Sequence, residues 1–183
     1  MPDPIRIAVF GTESTGKTTL AERLAAHFRA AWSPEFVREF WEIKSGKIVG
    51  ADLGTIALGQ MANEDRADDA AQRVVFHDTE LITNTLWADV LFPGECPDWI
   101  RAEAAARSGR YALYLLCGTD VPFEPDPQRC FPAATDREKA GRLWRETLKQ
   151  RGLPFVEIRG GWAEREAAAI AAVEGILSRR DTL

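Results

Sequence analysis

A glycine-rich segment near the start of the chain limits the possible folds more than any other feature. Residues 11–18 read Gly-Thr-Glu-Ser-Thr-Gly-Lys-Thr, which fits the pattern GxxxxGK followed by Ser or Thr at every position, and they follow the apolar run Ile5–Phe10. Because glycines let the backbone curl, consecutive N–H groups can point at phosphate oxygens, and the helix that follows adds partial positive charge. The pattern therefore predicts a phosphate-binding loop between a strand and a helix.

This phosphate loop assigns roles to individual side chains. Lys17 would reach the β- and γ-phosphates of a nucleoside triphosphate, and the Thr18 hydroxyl would ligate Mg²⁺. We therefore expect ATP and Mg²⁺ as cofactors. The residues of this segment predicted to bind them are Gly11, Glu13, Ser14, Thr15, Gly16, Lys17, Thr18 and Thr19.

A carboxylate that ligates the metal is expected at the end of another buried strand. The mainly apolar run at 74–77 is followed by Asp78, so Thr18 and Asp78 are the predicted metal ligands. Asp78 is also a candidate N-cap for a helix that begins near Thr79, and the sequence leaves both roles open.

Strand-like and helix-like segments alternate along the chain. Runs at 5–10, 74–77, 111–117 and 155–158 predict strands, with a weaker one ending near Glu35. Helical periodicity predicts helices at 18–30, 52–73, 136–150 and 162–178, the third with Asp136 as its N-cap. This alternation predicts a three-layer α/β P-loop fold with a five-stranded, mostly parallel sheet, formed by residues 1–183 as a single domain. The proline-rich segment around 118–135 is predicted to be a mobile lid or an ordinary surface loop.

Charge and cysteine content limit the kinds of partner that the protein can bind and the compartment in which it is expected to work. The 23 Lys and Arg residues against 28 Asp and Glu give a net charge of −5, which argues against nucleic acid or an anionic membrane as a partner. The chain lacks a signal-like start and any apolar run near the ~20 residues that cross a bilayer. Its three cysteines form no CxxC pair and suit a reducing compartment. We therefore expect a cytoplasmic protein that acts on a small molecule, with its oligomeric state left open.

The sequence lacks the motifs of several classes of phosphate-loop protein. A GTPase would recognise guanine with an NKxD segment, which this sequence lacks. A GTPase would usually also have a glycine three residues after the aspartate of its second phosphate motif, but Leu81 stands three residues after Asp78. It has no LSGGQ-like signature of a transporter ATPase, and 183 residues hardly accommodate the extra helical domain of a remodelling ATPase. A small P-loop kinase remains.

Several segments together resemble one known family. The runs GTESTGKTTL, WSPEFVREF, IALGQMANED, FHDTELITN, EPDPQR and RGLPFVEIRGGWAER resemble the ribosylnicotinamide kinase domain of the NadR type, within the P-loop AAA-like ATPase and kinase family. The resemblance extends over about residues 5–173. It implies ATP- and Mg²⁺-dependent phosphorylation of the 5′-hydroxyl of nicotinamide riboside, giving nicotinamide mononucleotide.

Two carboxylates compete for the role of general base. Glu35, at the end of the second predicted strand, is placed to accept a proton from the acceptor hydroxyl or to hold the ribose, and Asp78 is the alternative. Arg38 either contacts the substrate or pairs with Glu35 three residues before it. The aromatic residues beside Glu35 either stack on a flat cationic ring or pack in the core. The residues predicted to contact the acceptor are Trp32, Glu35, Phe36, Arg38, Gln60 and Asp78.

Cations are also expected over the nucleotide. In the lid segment, Arg129 is predicted to lie over the transferring phosphate, with Arg137 as a second candidate. After the last strand, Gly161, Trp162 and Arg165 occupy the place where small kinases pack the adenine, Arg165 either covering the base or belonging to a turn. The predicted catalytic residues are Lys17, Glu35, Asp78 and Arg129.

Two other functions fit the same phosphate loop. A kinase for another nucleoside or small metabolite would share every residue inferred from physical chemistry. A non-kinase, regulatory ATP-binding ATPase would keep Lys17 and Asp78 but would hydrolyse ATP without stimulation by an acceptor.

Overall fold

The computed structural model describes residues 3–131 and 133–182. Within these residues five strands form one sheet: β1 (Ile5–Phe10), β2 (Ala31–Ser33), β3 (Val74–Asp78), β4 (Tyr111–Cys117) and β5 (Phe155–Ile158). The strand order is β2-β3-β1-β4-β5, and every neighbouring pair is parallel. The predicted α/β fold with a five-stranded sheet is confirmed, and the sheet is entirely parallel.

The described residues also form seven α-helices, and a short 3-10 turn at Gly50–Asp52 precedes the third. The helices are α1 (Lys17–Phe28), α2 (Phe36–Ile43), α3 (Leu53–Ala70), α4 (Leu81–Leu91), α5 (Asp98–Ser108), α6 (Ala134–Gln150) and α7 (Trp162–Asp181). None of these described helices has the length and apolar character needed to span a membrane.

Helices cover both faces of the sheet because its central strands are apolar on both sides. On one face α3, α4, α5 and α6 enclose a core that includes Phe10 and Trp144. On the other face α1 and α7 enclose a core that includes Ile7 and Leu24. Each of these side chains is almost completely buried, and burial of one such side chain stabilises the fold by about 1.5–3 kcal/mol.

Three helices differ from the sequence predictions. The sixth begins at Ala134, because the N–H groups of Asp136 and Arg137 both donate to the carbonyl of Ala133, so the prediction of Asp136 as N-cap is wrong. Helices α2 and α5 were not predicted. Helix α5 consists largely of good helix formers, but its apolar stripe is narrow and includes Ile100 and Ala104, so hydrophobic periodicity gives little signal.

The segments that contain the predicted site residues lie at the edge of the sheet formed by the carboxyl ends of its strands. The phosphate loop (residues 11–18) follows β1, Asp78 ends β3, and the β4–α6 loop (described residues 118–131 and 133) follows β4. Because β1 lies between β3 and β4, all three segments meet at the centre of this edge. In open parallel sheets, ligands bind outside the carboxyl ends of the strands.

Candidate active site

The phosphate loop has the backbone conformation that its glycines predict. Gly11 has a φ of 145°, and a Cβ there would lie 2.9 Å from the carbonyl oxygen of Cys117. Gly16 has a φ of 76°, and a Cβ there would lie 2.4 Å from the ring of Trp162. Since both glycines combine a positive φ with a close neighbour, a side chain at either position would distort the loop.

Hydrogen bonds fix the shape of the phosphate loop from inside. The Thr15 hydroxyl donates to the carbonyl of Thr12 at 2.8 Å, and Lys17 Nζ donates to the same oxygen at 2.9 Å. Lys17 is buried, so its ammonium group remains within the loop. Thr19, also predicted to bind the nucleotide, is exposed on the first turn of α1.

Asp78 lies beside the start of α1 and is completely buried. The Thr18 hydroxyl donates to its Oδ2 atom at 2.5 Å, while Oδ1 is buried and has no hydrogen-bond partner among the described residues. Burial and, to a smaller extent, the negative charge of Glu35 raise the pKa of Asp78 to about 6, against the opposing effect of the Lys17 charge. A buried carboxylate oxygen without a partner fits a cation, and carboxylate and hydroxyl oxygens are ligands that Mg²⁺ accepts.

The residues after Asp78 show that it does not cap a helix. Thr79 has a φ of 71°, an uncommon conformation for a residue with a side chain, and its N–H donates to the carbonyl of Val9. Glu80 is the N-cap of α4, and its carboxylate accepts the N–H of Ile82 at 3.0 Å. The alternative role of Asp78 as N-cap is therefore wrong, and Asp78 keeps its Oδ1 atom free of the backbone.

A cavity of about 260 Å³ lies beside the phosphate loop. It brings together three of the predicted catalytic residues, Lys17, Glu35 and Arg129. Asp78 lies behind Thr18 and does not line it. Other residues that line the cavity are Glu13, Arg38, Trp41, Asn84, Trp87, Cys96, Asp126 and Gln128.

Glu35 stands at the N-cap of α2, where the chain leaves β2. Its side chain is about 10% exposed and accepts a hydrogen bond from Arg38 Nε at 3.3 Å. The guanidinium of Arg38 also lies 3.9 Å from the carboxylate of Asp126 in the β4–α6 loop. The structure thus forms the ion pair expected from the spacing of Glu35 and Arg38, and both side chains also line the cavity.

Besides Asp78, three more of the residues predicted to contact the acceptor do not line the cavity. Trp32 packs against the core between the sheet, α1 and α7. The Phe36 ring lies over Gly59, where a Cβ would come within 2.2 Å of it, and the Phe36 N–H donates to Gln60 Oε1 at 3.0 Å. The direct contacts predicted for Trp32, Phe36 and Gln60 are therefore corrected, because the last two hold α2 against α3 instead.

The sequence reasoning missed the aromatic walls of the cavity. Trp41 lies three residues after Arg38 on α2, and Trp87 lies three residues after Asn84 on α4. Residues three apart share a helix face, so both tryptophans could have been found once α2 and α4 were recognised. Asp126 had no such signal, because its place depends on the path of the β4–α6 loop.

The two arginines of the lid segment have different environments. Arg129 lines the cavity, donates to the carbonyl of Glu124 and lies 5.8 Å from the ring of Phe123. Arg137 is buried and donates to three carbonyl groups, those of Ser14, Thr119 and Val121. Arg137 therefore ties the loop to the phosphate loop, and its prediction as a second phosphate-covering cation is corrected.

The segment predicted to pack the adenine lies against the phosphate loop. Gly161 is the N-cap of α7, and Trp162 is 41% exposed, with its indole ring 5.4 Å from the Arg23 guanidinium. The ring of Trp162 also contacts Gly16. An exposed aromatic face at this place is available to a flat base.

Arg165 lies underneath that segment and is almost completely buried. Its guanidinium donates to the carbonyls of Thr15, Gly118 and Gly160 and to the Asp120 carboxylate at 2.6 Å. Because the guanidinium is buried and its Nε, Nη1 and Nη2 atoms all donate within the fold, the predicted role of Arg165 in covering the face of the base is corrected. The residue fastens α7 to the phosphate loop.

A buried polar network supports the strand ends behind the cavity. His77 Nδ1 and Ser33 Oγ are 2.8 Å apart, and His77 Nε2 lies 3.2 Å from Asp68 Oδ1. Nearby, Glu64 pairs with Arg107 at 3.1 Å, and burial raises the pKa of Glu64 against the opposing charges of His77 and Arg107. Ser33 and His77 thereby join the ends of β2 and β3, from which Glu35 and Asp78 project.

Comparison with known proteins places the chain among phosphate-loop proteins. Residues 6–165 match the model of a family described as an AAA domain. The chain is 28% identical over 157 residues to the trifunctional NAD biosynthesis/regulator protein NadR of Salmonella typhimurium, and 28% identical over 156 residues to NadR of Escherichia coli. These alignments cover 84% and 83% of this chain but only 38% and 37% of the two relatives. The resemblance to the NadR type is confirmed.

Solved structures share the fold. A crystal structure of NadR in complex with NR is 24% identical, with a TM-score of 0.76, and the match covers 94% of this chain and 50% of that one. A deoxyadenosine kinase from M. mycoides is 13% identical, with a TM-score of 0.64, and the match covers 93% of this chain and 100% of that one. The P-loop kinase fold expected from the sequence is confirmed.

Proposed function

The chain belongs to the AAA domain family, and we propose that it is a small-molecule kinase that transfers the γ-phosphoryl group of ATP to the 5′-hydroxyl of nicotinamide riboside, giving nicotinamide mononucleotide. One observation carries this proposal: the phosphate-loop Lys17, the carboxylate Glu35 and the loop cation Arg129 line the same cavity. A phosphoryl group held by the phosphate loop and a hydroxyl beside Glu35 would therefore meet in that cavity. The similarity to NadR proteins favours nicotinamide riboside as the acceptor.

Glu35 is the proposed general base. The acceptor oxygen forms its bond to the γ-phosphorus as the bond to the bridging oxygen of ADP breaks, and the hydroxyl proton passes to the Glu35 carboxylate. Arg38 holds that carboxylate at 3.3 Å, which keeps it oriented towards the cavity. Asp78 is less accessible, because it is completely buried behind Thr18.

Positive charge balances the charge that develops on the transferring group. Lys17 and Arg129 both line the cavity, Lys17 from the phosphate loop and Arg129 from the β4–α6 loop. Thr18 and Asp78 are the residues that would hold Mg²⁺, which when bound neutralises the β- and γ-phosphates. The described residues contain no group of three His, Cys, Asp or Glu side chains that would bind a metal without the substrate.

The cavity walls suit a flat cationic acceptor. The lining includes the aromatic side chains of Trp41 and Trp87 and the carboxylates of Glu35 and Asp126. Nicotinamide riboside carries its positive charge on an aromatic ring, which aromatic faces and carboxylates attract.

The three cysteines are free thiols, which is consistent with a reducing compartment and so with the proposed cytoplasmic role in NAD salvage.

The experiment is ADP release with ATP and Mg²⁺, measured alone and with nicotinamide riboside, deoxyadenosine, other nucleosides and simple sugars. We expect stimulation by nicotinamide riboside and its loss in Lys17→Ala, with Lys149→Ala as a matched control because Lys149 is exposed on α6. Stimulation by deoxyadenosine alone would make the chain a kinase for another nucleoside. Hydrolysis that no acceptor changes would favour a regulatory ATPase.

A further inference from the structure

The side chain of Glu13 does not point into the phosphate loop that contains it. Its Oε2 atom accepts the backbone N–H of Cys130 at 2.8 Å, and its Oε1 atom accepts that of Phe131 at 2.5 Å. Both carboxylate oxygens are therefore bonded to the β4–α6 loop, 117 and 118 residues further along the chain. Sequence reasoning had assigned Glu13 to the nucleotide.

The neighbouring residue fastens the other side of the same loop. Ser14 Oγ accepts the backbone N–H of Glu124 at 3.3 Å, and the Ser14 carbonyl accepts a hydrogen bond from Arg137 at 3.2 Å. Ser14 has a φ of 53°, a left-handed backbone conformation that is uncommon for a residue with a side chain. Two adjacent residues of the phosphate loop thus hold the β4–α6 loop on both sides of Arg129.

The segment that Glu13 holds also contacts the wall of the acceptor cavity. The Phe131 ring stacks on Trp87 with centroids 5.5 Å apart and planes 21° apart, and Trp87 lines the cavity. Arg129 immediately precedes the two residues whose N–H groups bond to Glu13. The position of the Arg129 backbone is therefore set by Glu13 on the phosphate side and by Trp87 on the acceptor side.

We propose that Glu13 is a positioning residue, which holds residues 129–131 against the phosphate loop so that Arg129 stands at the acceptor cavity. The catalytic part of this inference rests on the proposed function, because it takes Arg129 to act on the transferring phosphoryl group. The structural part does not depend on the acceptor. A carboxylate is suited to this role because hydrogen bonds to an ionised acceptor are stronger than neutral ones.

The test compares Glu13→Ala and Glu13→Gln with Glu103→Ala, a control at an exposed position of α5. Alanine removes both acceptors. Glutamine keeps one oxygen but presents an amide N–H₂ group to the second backbone N–H, so its effect should be intermediate. Thermal unfolding of all variants establishes that each is folded.

The first readout is the rate of tryptic cleavage after Arg129, followed by mass spectrometry without any acceptor. We expect cleavage to become roughly tenfold faster or more in Glu13→Ala, less so in Glu13→Gln, and unchanged in Glu103→Ala. Cleavage of Glu13→Ala at the wild-type rate would overturn the proposal. Because no acceptor is needed, this outcome stands whether or not nicotinamide riboside is the substrate.

The second readout is steady-state kinetics with whichever acceptor stimulates ADP release. We expect kcat to fall roughly tenfold or more in Glu13→Ala while KM for ATP changes less than about threefold. In the double variant with Arg129→Ala, kcat should be no lower than in Arg129→Ala alone, since Glu13 acts through Arg129. Additive losses, or a raised KM for ATP with kcat preserved, would show instead that Glu13 contacts the nucleotide.

Discussion

Thr18, in the first turn of α1, donates a hydrogen bond of 2.5 Å to Asp78, the last residue of β3. This contact joins the phosphate loop to the neighbouring strand across 60 residues of sequence. It uses one carboxylate oxygen and leaves Asp78 Oδ1 buried without a hydrogen-bond partner. A cation bound here would supply the interaction that Oδ1 lacks.

Substitution of Asp78 by asparagine should weaken the binding of Mg²⁺ to a measurable extent. Asparagine keeps the shape and one oxygen but removes the negative charge, so the Mg²⁺ concentration for half-maximal ADP release should rise roughly tenfold or more. The measurement is a Mg²⁺ titration at fixed ATP. Asp69→Asn is the control, since Asp69 is exposed on α3. An unchanged Mg²⁺ requirement would place the metal ligand elsewhere.

The stability of the metal-free protein should depend on the protonation of Glu80. Burial raises the pKa of this carboxyl from 4.5 to about 8 against the opposing hydrogen bond from the Ile82 N–H, and the charge of Glu64 adds to the increase. The folded state therefore holds a proton that the unfolded state releases. The contribution of Glu80 to stability is complete below pH 4.5 and is lost as the pH rises to about 8.

Chemical denaturation between pH 5 and 8 measures this effect. The slope contributed by Glu80 is up to about 1.4 kcal/mol of unfolding free energy lost per pH unit. Glu80→Gln resembles the protonated acid and keeps an acceptor for the Ile82 N–H, so this variant should lose that slope. An identical pH dependence in the wild type and the variant would contradict the raised pKa.

Replacement of Arg165 by alanine should destabilise the fold rather than weaken adenine binding alone. The buried guanidinium bonds to three carbonyls and to the partly exposed Asp120 carboxylate, and loss of a hydrogen bond to a charged group costs about 1.5–3 kcal/mol. Urea denaturation measures the change, and Arg159→Ala, which removes an exposed arginine, is the control. If the free energy of unfolding fell by less than about 1 kcal/mol, as it does for an exposed ion pair, this structural role would be contradicted.

Much of this architecture could be predicted because its signals are local. The strand Ile5–Phe10, the glycines of the phosphate loop and the start of α1 follow one another directly along the chain. Each has its own signal in the sequence, so strand, loop and helix can all be predicted. The helical faces of α2 and α4 are less evident because α2 has only eight residues and α4 is mostly buried. Trp41 and Trp87 were therefore missed, although each follows its helical spacing.

The roles of the arginines could not be predicted, because they depend on contacts far apart in sequence. Arg165 bonds to the carbonyl of Thr15 across 150 residues, and Arg137 bonds to that of Ser14 across 123. Nothing near either arginine distinguishes a side chain that satisfies backbone carbonyls from one that faces a ligand. Arg129, which lines the cavity, is the same type of residue.

Trp41 offers a test of how the acceptor ring is held. Its side chain lines the cavity and packs against Gly46, at the exposed end of α2, so its removal should leave the core intact. Stacking of one aromatic ring is worth about 1–3 kcal/mol, so Trp41→Ala should raise KM for the acceptor roughly tenfold with KM for ATP unchanged. Trp99→Ala removes a tryptophan that is 41% exposed on α5 and serves as the control. An unchanged KM for the acceptor would show that Trp41 does not bind the acceptor ring, and Trp87 would then be the remaining aromatic candidate.

The choice of general base can be decided by two isosteric variants on the same helix. Glu35 is the N-cap of α2 and lines the cavity, whereas Glu39 lies one turn later and is exposed, so Glu35→Gln and Glu39→Gln form a matched pair. Glutamine cannot take the hydroxyl proton, and loss of a general base typically lowers turnover by about 10²–10⁴-fold. Acceptor-stimulated ADP release should fall to that extent in Glu35→Gln and remain unchanged in Glu39→Gln. ATP binding should persist in both, because Lys17 and the Thr18–Asp78 pair are untouched. Full turnover in Glu35→Gln would leave Asp78 as the base and would limit Glu35 to pairing with Arg38.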